Sequence, residues 1–190
     1  MNHDVFRSSI EDSIATKQAL LAECLPSISD LCERAIATLR QGGKLMFCGN
    51  GGSACDASHA VGELVGWFEH KQRGAYAAMA LGHEVPTLTA IGNDAGYEHV
   101  FSRQVEGVGR KGDMLIGFST SGSSKNVVAA MQKARELDIA TALLCGSKEG
   151  SGLEFADVAV RVPSANTARI QESHLLVVHL LCAAVENAIG

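Results

Sequence analysis

The hydrophobic pattern of the chain changes period once, near residue 43. Before that point apolar positions recur with helical spacing. One such stretch runs from about Val5 to Glu23 and stops near Pro26, and a second covers Ser27–Arg40 and ends at Gly42-Gly43. Beyond it come short apolar runs at 44–48, 77–81, 113–119, 141–145 and 158–162, each bounded by Gly, Ser, Asp or Lys. Continuous apolar runs of this length predict strands buried on both faces. Helical patterns separate them, over 53–67, about 85–107, 124–137 and from about Ala168 to Ala188. Strands alternating with helices predict an α/β fold with a mainly parallel five-stranded sheet and right-handed crossovers. We read 1–190 as a single domain, with 1–42 as a helical arm and 43–190 as sheet, loops and C-terminal helix. Two leading helices and a long last one exceed what one small sheet needs for cover, which points to oligomerisation.

Composition narrows the function classes. A chain of 190 residues with 46% apolar content can build a sizeable core. The formal charge of −5 has no basic run in it, and aromatic residues make up only 5%, so neither a phosphate-backbone footprint nor a base-stacking platform is expected. No apolar run approaches the roughly 20 residues of a bilayer span. The opening "MNHDVFRSSIEDSIATKQ" is polar and acidic, unlike a secretory signal. These features predict a cytoplasmic protein with no membrane or nucleic-acid partner. The six cysteines, Cys24, Cys32, Cys48, Cys55, Cys145 and Cys182, are widely spaced without a CxxC pair and read as free thiols. Only Cys55, beside a glycine loop, is expected to be accessible.

Two loops carry the candidate chemistry. "CGNGGS" (48–53) follows the first strand run and "STSGSSKN" (119–126) follows the third, and each leads into a helix. Ligands of open parallel sheets gather at such carboxyl ends. Glycine lets backbone N–H groups approach an anion, and the helix start adds partial positive charge. Ser119, Thr120, Ser121 and Ser124 add hydroxyls. Lysine does not follow in GxxxxGK[ST] order, so the loops suit a phosphate monoester rather than a nucleotide. The simpler alternative makes Ser53 and Ser124 plain N-caps and the glycines plain turns. Five hydroxyl residues within "STSGSS", and two such loops in one sheet, favour phosphate. The helix after the first loop carries His59 and Glu63 at i and i+4, on one face.

Four long motifs in this order, "CGNGGSACDASHAVGEL", "AIGNDAGYEHVFSRQV" (90–105), "GDMLIGFSTSGSSKNV" (112–127) and "ARIQESHLLVVHL" (168–180), resemble the sugar-isomerase (SIS) domain family, and within it the phosphoheptose isomerases. The resemblance covers nearly the whole chain. It implies a three-layer SIS-type sandwich and conversion of sedoheptulose 7-phosphate into D-glycero-D-manno-heptose 7-phosphate for surface-polysaccharide synthesis. It also implies a homotetramer with active sites between subunits. Carried over by motif, the substrate contacts are Asn50, Gly51, Gly52, Ser53, Glu63, Asn93, Asp94, Ser119, Thr120, Ser121, Ser124 and Gln171. The metal positions are His59, Glu63, Gln171 and His179, with one zinc per subunit expected.

Ketose–aldose interconversion needs a base on the carbon chain and a proton donor for the oxygens, with a cis-enediol between. Glu63 is assigned as base, provided burial raises its pKa, and His179 as the second acid–base group. Gln171 and His179 lie eight residues apart, about 12 Å of helix rise, a long span for two ligands of one ion. His174 is left as an interface or core residue. One departure stands out. Trp67-Phe68 occupies the place of the family's usual Arg-aromatic pair, in a longer loop without its proline. Either a substrate-binding arginine is missing or Arg73 replaces it. The rival reading is a non-catalytic relative that binds the replication initiator or senses a sugar phosphate. Such relatives lack the Glu of "GEL" and the final His, and this chain keeps both.

Overall fold

The computed structural model describes residues 3–190; Met1 and Asn2, the start of the arm and of the segment read as no secretory signal, lie outside the described residues. The core strands are β1 (Leu45–Gly49), β3 (Met114–Ser119) and β4 (Ala140–Cys145), and the edges are β2 (Ala78–Ala80) and β5 (Val158–Arg161). All pairings are parallel, in the order β2-β1-β3-β4-β5. Every residue of β1 and β3 is buried, as their unbroken apolar runs require, whereas β5 alternates between buried and half-buried as an edge does.

Alternate side chains of the strands feed two cores. Leu45, Phe47, Ile116, Phe118 and Leu144 meet one helical layer, containing α2 (Leu25–Arg40), α3 (Gly52–Val65) and α7 (Thr167–Ile189). Met46, Cys48, Leu115 and Leu143 meet the other, containing α5 (Ser102–Val108) and α6 (Lys125–Glu136). The period of two along a strand thus makes three layers. The strand order reverses direction between β1 and β3, so the carboxyl ends of these two strands open a crevice.

Three expectations are corrected. The second helix does not wait for Ser27: α1 spans His3–Glu23 and ends ahead of Pro26 as expected, only Cys24 intervenes, and α2 begins at Leu25 with Pro26 in its first turn. A missing N–H costs nothing there, because first-turn donors have no intrahelical partner. The single helix expected near 85–107 is broken. Helix α4 covers Val85–Asp94, a 3-10 turn covers Tyr97–His99, and α5 follows. The break falls at Gly96, whose φ of +96° suits glycine. Last, α7 is long and apolar enough, by length and composition, to cross a membrane. Its buried residues include Ser173, His174 and Glu186 as well as Val177, Leu181 and Val185, as befits a core helix of an α/β layer.

Of the six thiols, which are free, only Cys55 is exposed. Burial pushes those of Cys48 and Cys182 up to about 12, so they act as small apolar side chains.

Candidate active site

The glycine loop begins where β1 ends. Gly51 takes a φ of +56°, and a Cβ on Gly52 would stand 2.7 Å from Gln171 Nε2. Any side chain at 52 would therefore displace Gln171, which lies over the head of α3. The hydroxyl loop begins where β3 ends, on the other side of the crevice. Ser124 stands at the N-cap position of α6, yet makes no capping bond with its side chain. Instead Ser119 Oγ donates to Ser124 Oγ at 2.9 Å, accepts from the Ser124 backbone N–H at 3.2 Å, and lies 3.5 Å from Ser121 Oγ. No side chain caps α3 either. The plain N-cap alternative is thus not met: neither N-cap residue caps its helix with its side chain, the first-turn N–H of Val127 goes instead to Asn126 Oδ1 at 3.0 Å, and the hydroxyls gather among themselves.

The two loops are tied together by a residue not singled out in the sequence. Asn126, 3% exposed, exchanges two amide hydrogen bonds with Asn50, at 2.9 and 2.8 Å. Tyr97 Oη donates to the same Asn50 Oδ1 at 3.1 Å, joining the segment after α4 to the glycine loop. Most of the Asn50 amide is therefore used in holding the loops. Asn93 and Asp94 bond to each other at 2.7 Å on the exposed end of α4. The bond from this segment to the glycine loop comes from Tyr97.

Helices α3 and α7 lie side by side and run the same way. Gln171 meets Gly52 at one end of the seam, and His179 meets His59 two turns further on. There His59 Nε2 and His179 Nε2 are 2.9 Å apart, and His59 Nε2 lies 3.3 Å from Glu63 Oε1. One ligand atom from each of the three residues lies within 4.8 Å of the others. His59 is exposed in the single chain, and Glu63 and His179 are half-buried. Two imidazole nitrogens and a carboxylate converging on one point form an N/O donor set that fits a divalent ion such as zinc. Gln171 sits at the far end of the seam, where it covers the glycine loop.

Asp56, one turn before His59, was also missed. It is 8% exposed and its Oδ2 has no hydrogen-bond partner. Burial, opposed by His59, raises its pKa to about 6. His174 belongs to the core: it is fully buried against Phe118, at 5.7 Å between rings. Burial pushes its pKa down to about 4, against a weaker pull from the Cys145 backbone whose approach falls short of a hydrogen bond. Arg73 points inward, to Glu186 and to backbone carbonyls, so it does not replace a substrate-binding arginine.

The SIS domain model matches residues 9–146. A phosphoheptose isomerase of Roseiflexus sp. (strain RS-1) is 48% identical over 180 residues, 95% of this chain and 91% of that protein. The chain belongs to the phosphoheptose isomerase family of SIS-domain proteins. The structure of a phosphoheptose isomerase from Francisella tularensis superposes with a TM-score of 0.94 at 34% identity, covering 98% of this chain and all of that one. One from Neisseria gonorrhoeae gives 0.92 at 38%, covering 97% and 98%. Across the α3–α7 seam the present chain brings His59, Glu63 and His179 together, with His59 in contact with both of the others.

Proposed function

We propose that the chain isomerises sedoheptulose 7-phosphate to D-glycero-D-manno-heptose 7-phosphate, in the cytoplasm, for heptose-containing surface polysaccharides. The observation that carries this reading is the convergence of His59, Glu63 and His179 on one point, two turns along the seam from the glycine loop. The phosphate binds in the β1–β3 crevice, at the N-terminal ends of α3 and α6 and the hydroxyls of Ser119, Thr120, Ser121 and Ser124. Holding that remote end positions the reacting carbons at the trio.

Glu63 takes the proton from C1 while His179 protonates O2, which forms the cis-enediol. The O1 proton then passes to His179 and Glu63 returns its proton to C2, leaving the aldehyde at C1. Each residue ends as it began. The contact between the two Nε2 atoms lets His59 share or relay the proton on His179. Gln171, over the glycine loop, orients the chain between phosphate and carbonyl. Expected as a fourth metal ligand, Gln171 lies at the other end of the seam, whereas zinc held by His59, Glu63 and His179 would polarise the carbonyl as a Lewis acid. The lone pairs that would bind it are the ones that would carry protons, so the two roles compete.

We further propose a homotetramer that completes its sites between subunits. This is supported by the apolar face that α1 leaves uncovered, with Phe6, Ile10, Ile14 and Leu21 each more than half exposed. The decisive experiment is incubation of purified protein with sedoheptulose 7-phosphate, with and without chelator. Appearance of an aldoheptose phosphate supports the isomerase, and its absence in every metal condition favours the non-catalytic rival.

A further inference from the structure

Behind the reacting trio lies a buried ion pair that none of the chemistry above uses. Arg73 Nε donates to Glu186 Oε1 at 2.6 Å, and the two side chains are 4% and 2% exposed. Glu186 sits two turns beyond His179 on α7, and Arg73 lies in the loop that leaves α3. Every remaining arm of the pair is occupied. The Glu186 carboxylate accepts backbone N–H bonds from Phe68 at 3.1 Å and from Glu69 and His70 at 2.9 Å. Arg73 Nη1 donates to the carbonyls of Leu64 and Gly74, and Nη2 to the carbonyl of Glu63 at 2.6 Å. The guanidinium also lies over the Tyr76 ring, 4.2 Å from its centroid.

A buried ion pair is a poor source of net stability compared with an apolar pair of the same size, so its presence calls for another account. The geometry supplies one. At one end the pair grips the backbone of Glu63 itself, where the last carbonyls of α3 lack intrahelical partners. At the other it holds the N–H of Phe68, whose ring stacks on His179 at 5.6 Å with 22° between planes. The two residues assigned to proton transfer stand on different helices, and this single pair reaches both from behind.

We propose that Arg73 and Glu186 are positioning residues for the isomerisation: their ion pair fixes the end of α3 at Glu63 and, through Phe68, the orientation of the His179 ring. The inference rests on the assignment of Glu63 and His179 made above. It separates two classes of contact. The phosphate loops lie at the other end of the seam, so loosening the clamp should leave substrate capture intact and damage the chemical step.

The test compares the full-length chain with Arg73→Lys, Arg73→Met and the double variant Arg73→Met/Glu186→Gln, with Glu63→Gln as control. The double variant removes both charges together, so no unpaired ion is left in the core and folding is retained if either single variant fails. Melting curves establish that each protein assayed is folded at the assay temperature. The expected result for the double variant is a kcat roughly 10–100-fold lower, the scale of a small misplacement of reacting groups. KM for sedoheptulose 7-phosphate should stay within about twofold. Arg73→Lys, which keeps the charge but not the fork, should recover part of the kcat lost in Arg73→Met. A folded double variant with wild-type kcat beside an inactive Glu63→Gln overturns the clamp alone. A loss that appears in KM rather than kcat overturns it as well. An active Glu63→Gln overturns the acid–base assignment and this inference with it.

Discussion

His59 and His179 face each other across the α3–α7 seam with their Nε2 atoms 2.9 Å apart. Two neutral imidazoles reach that distance by sharing one proton, or by turning both lone pairs toward a common cation. Elemental analysis of protein purified without added metal separates the two. Near-stoichiometric zinc in the parent, lost in both His59→Ala and His179→Ala, is the expected result. A metal-free parent with full activity that chelator leaves untouched would leave an acid–base pair alone.

Glu63→Gln keeps the shape of the side chain but cannot accept a carbon-bound proton. Turnover should fall by several orders of magnitude, while calorimetric affinity for sedoheptulose 7-phosphate changes little. Exchange of solvent deuterium into the substrate should stop with it. Exchange at the parent rate would remove Glu63 from the role of base.

Removal of the Ser119 and Ser124 hydroxyls should weaken substrate binding by a few kcal/mol at most, since hydrogen bonds to a charged group contribute roughly 1.5–3 kcal/mol each. Asn126→Ala acts differently. It leaves the Asn50 amide without its partner in the crevice, so stability should drop by about 1–3 kcal/mol together with affinity. Thermal melts and calorimetry on the same samples distinguish the two effects.

Acid should act on stability through His174 and then Glu186, with the raised carboxyl of Asp56 opposing His174 below about pH 6. Folding depresses the pKa of His174 from an ordinary 6.5 to about 4. Between those values the unfolded chain takes up a proton that the folded one refuses, so the His174 contribution to stability falls as pH falls through this range. For Glu186, burial acts to raise the pKa, but the Arg73 bond and the N–H groups of His70, Glu69 and Phe68 outweigh it and hold the carboxyl at about 2, against an ordinary 4.5. Its contribution is present above pH 4.5 and is lost as pH falls toward 2. His174→Leu should remove the His174 contribution, roughly 3 kcal/mol across its full span. Denaturant melts at pH 7, 5 and 4 would reveal it, and an unchanged pH slope would contradict the assignment.

The strands were legible because β1, β3 and β4 are almost wholly buried and keep their polar residues, Thr141 and Ser119, toward the ends of otherwise apolar runs. The break in the 85–107 segment was not. Its apolar residues keep helical spacing, and "GNDAG" reads equally as a turn or as ligand contacts. Helix α4 buries none of its own residues, so no packing pattern marks its end. In the site, His59 and Glu63 could be paired by spacing along one helix. Their meeting with His179 depends on how two helices pack, which no local pattern encodes. The role of Arg73 stayed open between two alternatives for a related reason: it lies in a polar loop, and its partner Glu186 lies inside an apolar helical run 113 positions away. Asn126 looked like an ordinary first-turn residue, because its partner is 76 positions away.

The parallel run of α3 and α7 has a consequence for which sugars can react. Gly52 and His59 are seven residues apart on one helix, about 10 Å along its axis. In the proposed binding mode the phosphate rests at the first and the carbonyl at the second, so the seam measures the substrate from end to end. An extended seven-carbon backbone fits that gauge. A pentulose 5-phosphate anchored in the same crevice stops short of Glu63, and is turned away by length before any hydroxyl is inspected.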